Sequence, residues 1–95
     1  MLHTLRHSPW QCDFSTFLTA LQPGDAVLLL QDGVIAALEG TRFLEMLQNA
    51  SISVSVLQDD VEARGLSAQI SNSIARVSYT DFVRMTVDHP TQMAW

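Results

Sequence analysis

The sequence predicts a small three-layer α/β domain, a parallel sheet of four or five strands with helices on both faces. Three observations carry that expectation. Five apolar residues, Ala26 to Leu30, run without polar alternation between Pro23-Gly24-Asp25 and Asp32-Gly33, the pattern of a strand buried on both sides. Candidate strands alternate with candidate helices along the chain, which implies parallel pairing through right-handed crossovers. The 95 residues, 47% hydrophobic and 16% charged, suit one globular domain rather than a disordered chain.

The elements follow in order. Leu2–Arg6 reads as a first strand, broken by Ser8-Pro9. Trp10, Phe14, Phe17, Leu18 and Leu21 fall on one helical face, so an amphipathic helix is expected from Pro9 to Pro23-Gly24. The central strand spans Ala26–Gln31, and Val34–Leu38 is a short helix or an apolar loop. Thr41 is placed to cap a helix over Arg42–Gln48, with Phe43, Leu44 and Leu47 facing inward.

Ile52, Val54 and Val56 alternate with Ser51, Ser53 and Ser55, a third strand ending near Leu57. Asp59 or Asp60 is expected to cap the next helix, Val61–Arg64, with Gly65 as its C′ residue. Ile74–Val77 reads as a short fourth strand. Thr80 is expected to cap a helix that runs to about His89, where Pro90 forbids continuation. Trp95 is expected to pack, as part of an edge strand or in an interface.

Charge and composition exclude several function classes. The net charge is −5, and the five basic residues are scattered arginines, so no basic face is available for direct nucleic-acid binding. No apolar run approaches the roughly 18 residues of a membrane span, and the N-terminus lacks the pattern of a signal peptide. Cys12 is the single cysteine and has no internal disulfide partner; a cytoplasmic protein is expected. A three-layer domain this small has a poor surface-to-volume ratio, so burial against partner subunits is expected too.

Several segments together resemble a known family. Met1-Leu2-His3-Thr4-Leu5 with Ser8-Pro9-Trp10, then Leu28-Leu29-Leu30-Gln31-Asp32-Gly33-Val34, are similar to the DsrH-like subunits of sulfurtransferase complexes. So are Ala63-Arg64-Gly65-Leu66 with Gln69-Ile70-Ser71-Asn72, Tyr79-Thr80-Asp81-Phe82-Val83, and His89-Pro90 through Gln92-Met93-Ala94-Trp95. The resemblance covers the whole chain as a single domain, residues 1–95. It implies a flavodoxin-like fold and a place in a cytoplasmic heterohexamer, two copies each of this type of chain and of TusC-like and TusD-like subunits. It also implies a persulfide relay in which a TusA-like donor supplies sulfur and a TusE-like acceptor takes it on, toward 2-thiouridine at the tRNA wobble position.

A persulfide carrier needs an accessible cysteine that is a thiolate at neutral pH, beside a helix N-terminus or a cation. The resemblance places that cysteine, in the TusD-type subunit, at the end of the third strand just before a helix. Here the corresponding position is about Leu57, ahead of Gln58-Asp59-Asp60. Leucine has no nucleophilic atom, and the two aspartates would raise the pKa of a thiol placed there. Cys12 is the other candidate. Its expected place early in the first helix favours a thiolate, whereas Asp13 beside it and the lack of a basic partner favour an incidental residue.

The remaining side chains have structural readings. His3, His7 and His89 are too scattered for a metal set and read as surface or capping residues. Asp32-Gly33 reads as a turn before a strand-end ligand site. No Gly-rich phosphate loop is present, so no nucleotide, flavin or other cofactor is expected. Trp10 and Trp95 read as core or interface anchors. The expected function is a non-catalytic subunit acting through interfaces, with Trp95, Met93, Leu57 and Trp10 as interface candidates. Two alternatives stand beside it: a persulfide-carrying sulfurtransferase using Cys12, and a small-ligand module using the strand ends near Asp32.

Overall fold

In a computed structural model describing residues 1–95, five parallel strands form one sheet in the order β4-β3-β2-β1-β5. The strands are β1 (Leu2–Leu5), β2 (Ala26–Leu29), β3 (Ser53–Leu57), β4 (Ala75–Val77) and β5 (Gln92–Ala94). The helices are α1 (Phe14–Ala20), α2 (Arg42–Gln48), α3 (Gln58–Ala63) and α4 (Tyr79–Asp88), and a 3₁₀ segment covers Gln31–Ala37. The expected three-layer parallel fold is the one observed, and the tail is indeed a strand.

The apolar run supplies the middle of the sheet. Every residue of β2 is buried, with alternate side chains going to opposite faces. Val27 and Leu29 join Leu5, Val56, Phe17, Phe43, Leu47 and Val61 in the main core; Ala26 and Leu28 join Leu2, Leu30 and Leu57 in a smaller one. The main core is covered by α1, the 3₁₀ segment, α2 and α3. The smaller one is covered by Phe82 and Met85 of α4.

Topology explains this asymmetry. The chain steps from β1 to β4 in one direction across the sheet, then returns to place β5 beyond β1. Right-handed crossovers made in one direction put their helices on one face, and a reversed crossover puts its helix on the other. So α4 stands alone, and none of its residues is buried.

Several helix starts differ from expectation. The first helix begins at Phe14, because Asp13 caps it by accepting from the Thr16 N–H. Residues 8–11 form a turn instead, in which Ser8 accepts from the main-chain N–H groups of Trp10 and Gln11. An N-cap oxygen outweighs a continued apolar periodicity here. Trp10 and Cys12 therefore lie outside α1. The third helix starts at Gln58 without a side-chain cap, which leaves Asp59 and Asp60 inside its first turn, where the helix dipole favours them.

The last helix is capped by Ser78 rather than Thr80. Ser78 Oγ accepts from the Asp81 N–H, and the Asp81 carboxylate accepts from the Ser78 N–H. This reciprocal pair satisfies two otherwise open donors. His89 is the C-cap residue just beyond the helix.

His3 is the largest departure. It reads as a surface or capping residue, yet it is 1% exposed. It sits between Val27 of β2 and Met93 of β5, and alternation inside β1 turns its ring toward α1, against Phe17 and Trp95.

Candidate functional site

At the end of the third strand the helix follows at once, three residues earlier than expected. β3 ends at Leu57 and α3 begins at Gln58. Leu57 is buried on the α4 side of the sheet, in the cluster with Leu2, Ala26, Leu28 and Leu30. Its side chain thus completes the smaller core. Gln58 Nε2 donates to Glu62 Oε1 at 2.9 Å, one turn on. No thiol chemistry is available at this junction.

Cys12 lies elsewhere. It lines a cleft of about 390 Å³ between the β1–α1 connection and α2, with Trp10, Asp13, Phe14, Arg42 and Phe43. Trp10 stands 64% exposed and meets Phe43 edge to face at 4.7 Å between ring centroids. The Arg42 guanidinium rests over both rings, at 5.2 Å and 5.0 Å. Cys12 lies one residue ahead of Asp13, the N-cap of α1. Burial pushes its thiol pKa up, and the Asp13 charge pushes it further. Both act against the thiolate that sulfur transfer needs.

Near the strand ends Gln31 and Asp32 are exposed, but each is paired within the protein. Gln31, at a left-handed φ of 51°, donates its N–H to Asp60 Oδ2 at 2.6 Å. Arg64 Nε donates to Asp32 Oδ1 at 3.0 Å. The turn at Asp32-Gly33 is the start of the 3₁₀ segment. The crevice beside β1, where the crossover direction reverses, is occupied by Trp95: its main-chain oxygen accepts from the Arg6 N–H at 3.1 Å and lies 3.1 Å from His7 Nδ1. No three His, Cys, Asp or Glu side chains converge as a metal set.

Of the four interface candidates, Trp10 and Met93 are exposed. Leu57 is enclosed by its own fold, and Trp95 is partly buried against the main core. Exposed apolar residues that the sequence reading did not single out lie on α4. Tyr79, Val83 and Val87 are 63%, 45% and 76% exposed and recur at a spacing of four, one outward stripe. The signal was present: Phe82 and Met85 are enough to face the sheet, so the three further apolar residues exceed what one buried face requires.

Solved structures with this architecture define its class. The ychN protein of Escherichia coli superposes with a TM-score of 0.79 at 14% identity, covering 99% of this chain and 97% of its own. Protein Tm0979 of Thermotoga maritima gives a TM-score of 0.69 at 22% identity, covering 96% and 97%. These establish a shared parallel α/β fold with a five-stranded sheet in the order β4-β3-β2-β1-β5.

Sequence narrows the class. The family model described as DsrH like protein matches residues 7–92, and the chain belongs to that family. It is 60% identical to Protein TusB of Escherichia coli strain K12 over 95 residues, the full length of both chains. Protein TusB of Klebsiella pneumoniae strain 342 is likewise 60% identical, and that of Enterobacter sp. strain 638 is 57% identical, each over both full lengths. No helix is long and apolar enough to cross a membrane.

Proposed function

We propose that the chain is a non-catalytic subunit of a TusBCD-type sulfur-relay complex. In this reading it assembles with TusC-like and TusD-like chains, two copies of each, in the cytoplasm. The complex takes persulfide sulfur from a TusA-like donor and passes it to a TusE-like acceptor for 2-thiouridine formation at the tRNA wobble position. The single observation that carries the non-catalytic assignment is the leucine at the β3–α3 junction: Leu57 closes the smaller core where a carrier would present a thiol. Full-length identity to proteins named TusB supports the place in the relay.

The chain's work is then to cover and position its neighbours. Trp10, Met93, and the α4 stripe of Tyr79, Val83 and Val87 are among the exposed apolar groups available for that work, with Met1 and Met46. Large aromatic side chains are effective anchors because they bury much area for little lost rotamer freedom.

The test is co-expression with TusC-like and TusD-like chains, subunit stoichiometry of the purified assembly, and tRNA 2-thiolation by the reconstituted relay. The expected outcome is co-purification in equal copies, with thiolation retained by Cys12→Ser. A stoichiometric added sulfur on Cys12 after incubation with loaded donor, together with loss of thiolation in Cys12→Ser, establishes the carrier reading instead.

A further inference from the structure

The two ends of the chain meet at one buried histidine, and both ring nitrogens of His3 are committed. Nε2 lies 2.9 Å from Asp25 Oδ2. Nδ1 lies 3.2 Å from Trp95 Nε1. An indole N–H only donates, and a carboxylate only accepts. The neighbours therefore select one form of the ring: neutral, with its proton on Nε2 and a free lone pair on Nδ1.

We propose that His3 is a proton-operated latch on the C-terminal strand. Taking up a proton at Nδ1 converts the acceptor that holds Trp95 into a donor. Two N–H groups then face each other at hydrogen-bond distance, and the indole must leave. The Asp25 carboxylate stays bonded to Nε2 and stabilises the imidazolium, so the latch opens on the Trp95 side alone. The step is a simple protonation; the proton comes from solvent and no other bond is made or broken.

The surroundings of His3 set the sign. Asp25, in the connection before β2, favours the charged ring. The Met1 ammonium opposes it, but is itself paired to Asp25 Oδ1 at 3.1 Å. From α1 the ring meets Phe17, which carries no charge; from β5 it meets Trp95, whose ring lies 6.3 Å away between centroids. His7 is the other titratable group at this corner, 3.1 Å from the Trp95 main-chain oxygen through Nδ1. A main-chain oxygen only accepts, so the neutral His7 ring already donates its Nδ1–H there, and a change of charge on His7 removes no donor or acceptor from Trp95.

Trp95 matters because β5 has little else. Its three residues are all exposed. The pairing with β1 continues into Trp95, whose N–H donates to Thr4 O at 2.8 Å, and beyond that pairing the Trp95 ring packs on Phe17, 5.5 Å between centroids. Release of the indole therefore loosens the strand that forms one edge of the sheet.

The experiment is an NMR titration of the full chain from about pH 8 to about pH 5, the range in which histidine changes charge. It follows the His3 and His7 ring resonances and the Trp95 indole N–H, with the two indoles assigned through Trp10→Phe. The Trp95 indole is expected to leave its hydrogen-bonded position with the same midpoint as His3, and to do so in His7→Ala as well. Linkage requires the reciprocal effect. Trp95→Phe, which keeps a ring but removes the N–H, should move the His3 midpoint to higher pH by about half to one pH unit. The latch is overturned if the indole keeps its position while His3 titrates, if Trp95→Phe leaves the His3 midpoint in place, or if His3 stays neutral until the protein unfolds.

Discussion

Gly33 packs directly against the Leu5 main chain. A Cβ placed on Gly33 would overlap the Leu5 carbonyl oxygen and come within 2.8 Å of the carbonyl carbon. The 3₁₀ segment after β2 therefore lies on the end of β1 with no room for a methyl group. Gly33→Ala should destabilise the fold by about 2 kcal/mol or more, since overpacking here displaces backbone rather than a flexible side chain. Urea unfolding of the two proteins measures this; an unchanged midpoint would show that the segment yields freely.

Asp25 ties together the start of β1 and the start of β2. Its carboxylate accepts from the Gln22 N–H at 3.0 Å, from His3 Nε2 and from the Met1 ammonium. The Gln22 N–H first, then His3, hold its pKa down at about 2. A carboxyl whose folded pKa lies below its unfolded value stabilises the fold above the unfolded value, near pH 4. That contribution fades as pH falls toward 2. With part of it screened at the rim, on the order of 1 kcal/mol is expected at neutral pH. The check is acid unfolding of Asp25→Asn, which should show a flatter stability profile below about pH 4.

The same substitution has a second cost. All three partners of Asp25 are donors, and an Asn amide would turn a donor toward at least one of them. Asp25→Asn is therefore expected to lose about 1–3 kcal/mol near neutral pH. Thermal melts of both proteins, run at one concentration, provide the comparison.

Cys12 should be sluggish toward alkylation at neutral pH, because burial and the Asp13 charge both disfavour its thiolate. Asp13→Asn keeps an N-cap of equal quality for α1 while removing the charge. Alkylation of Cys12 by iodoacetamide at neutral pH should then speed up by about threefold. Equal rates in the two proteins would assign the effect to burial alone.

The capping box of α4 offers a stability test away from the sheet. Ser78→Ala removes the acceptor of the Asp81 N–H and should cost about 1 kcal/mol. Hydrogen exchange should rise in the first turn of α4 before it rises in β2. Val87→Lys should leave stability almost unchanged, because the side chain is 76% exposed and a cation suits the last turn of a helix, yet reduce co-purification with partner chains.

Periodicity made most of the scaffold legible. An uninterrupted apolar run marked β2 as buried on both sides, and alternation with serines marked β3. Thr41 ahead of Arg42–Gln48 located α2 to the residue. These signals are local, and they were sufficient because each element's burial pattern is written within a few neighbouring residues. Helix starts were harder wherever several polar residues competed as caps: Asp13 prevailed over the Trp10 periodicity, and Ser78 over Thr80.

Only the folded chain could make His3 a buried residue. Its partners Asp25 and Trp95 lie 22 and 92 positions away, and no spacing rule reaches across such separations. The bare outer stripe of α4 is likewise a product of topology, since the reversed crossover sends one helix alone to its face of the sheet. Local pattern dictated which segments become strands and helices; long-range pairing dictated which polar groups they enclose. The reason is that hydrophobic period is a property of neighbours in the chain, whereas desolvation and hydrogen-bond partnership are properties of neighbours in space.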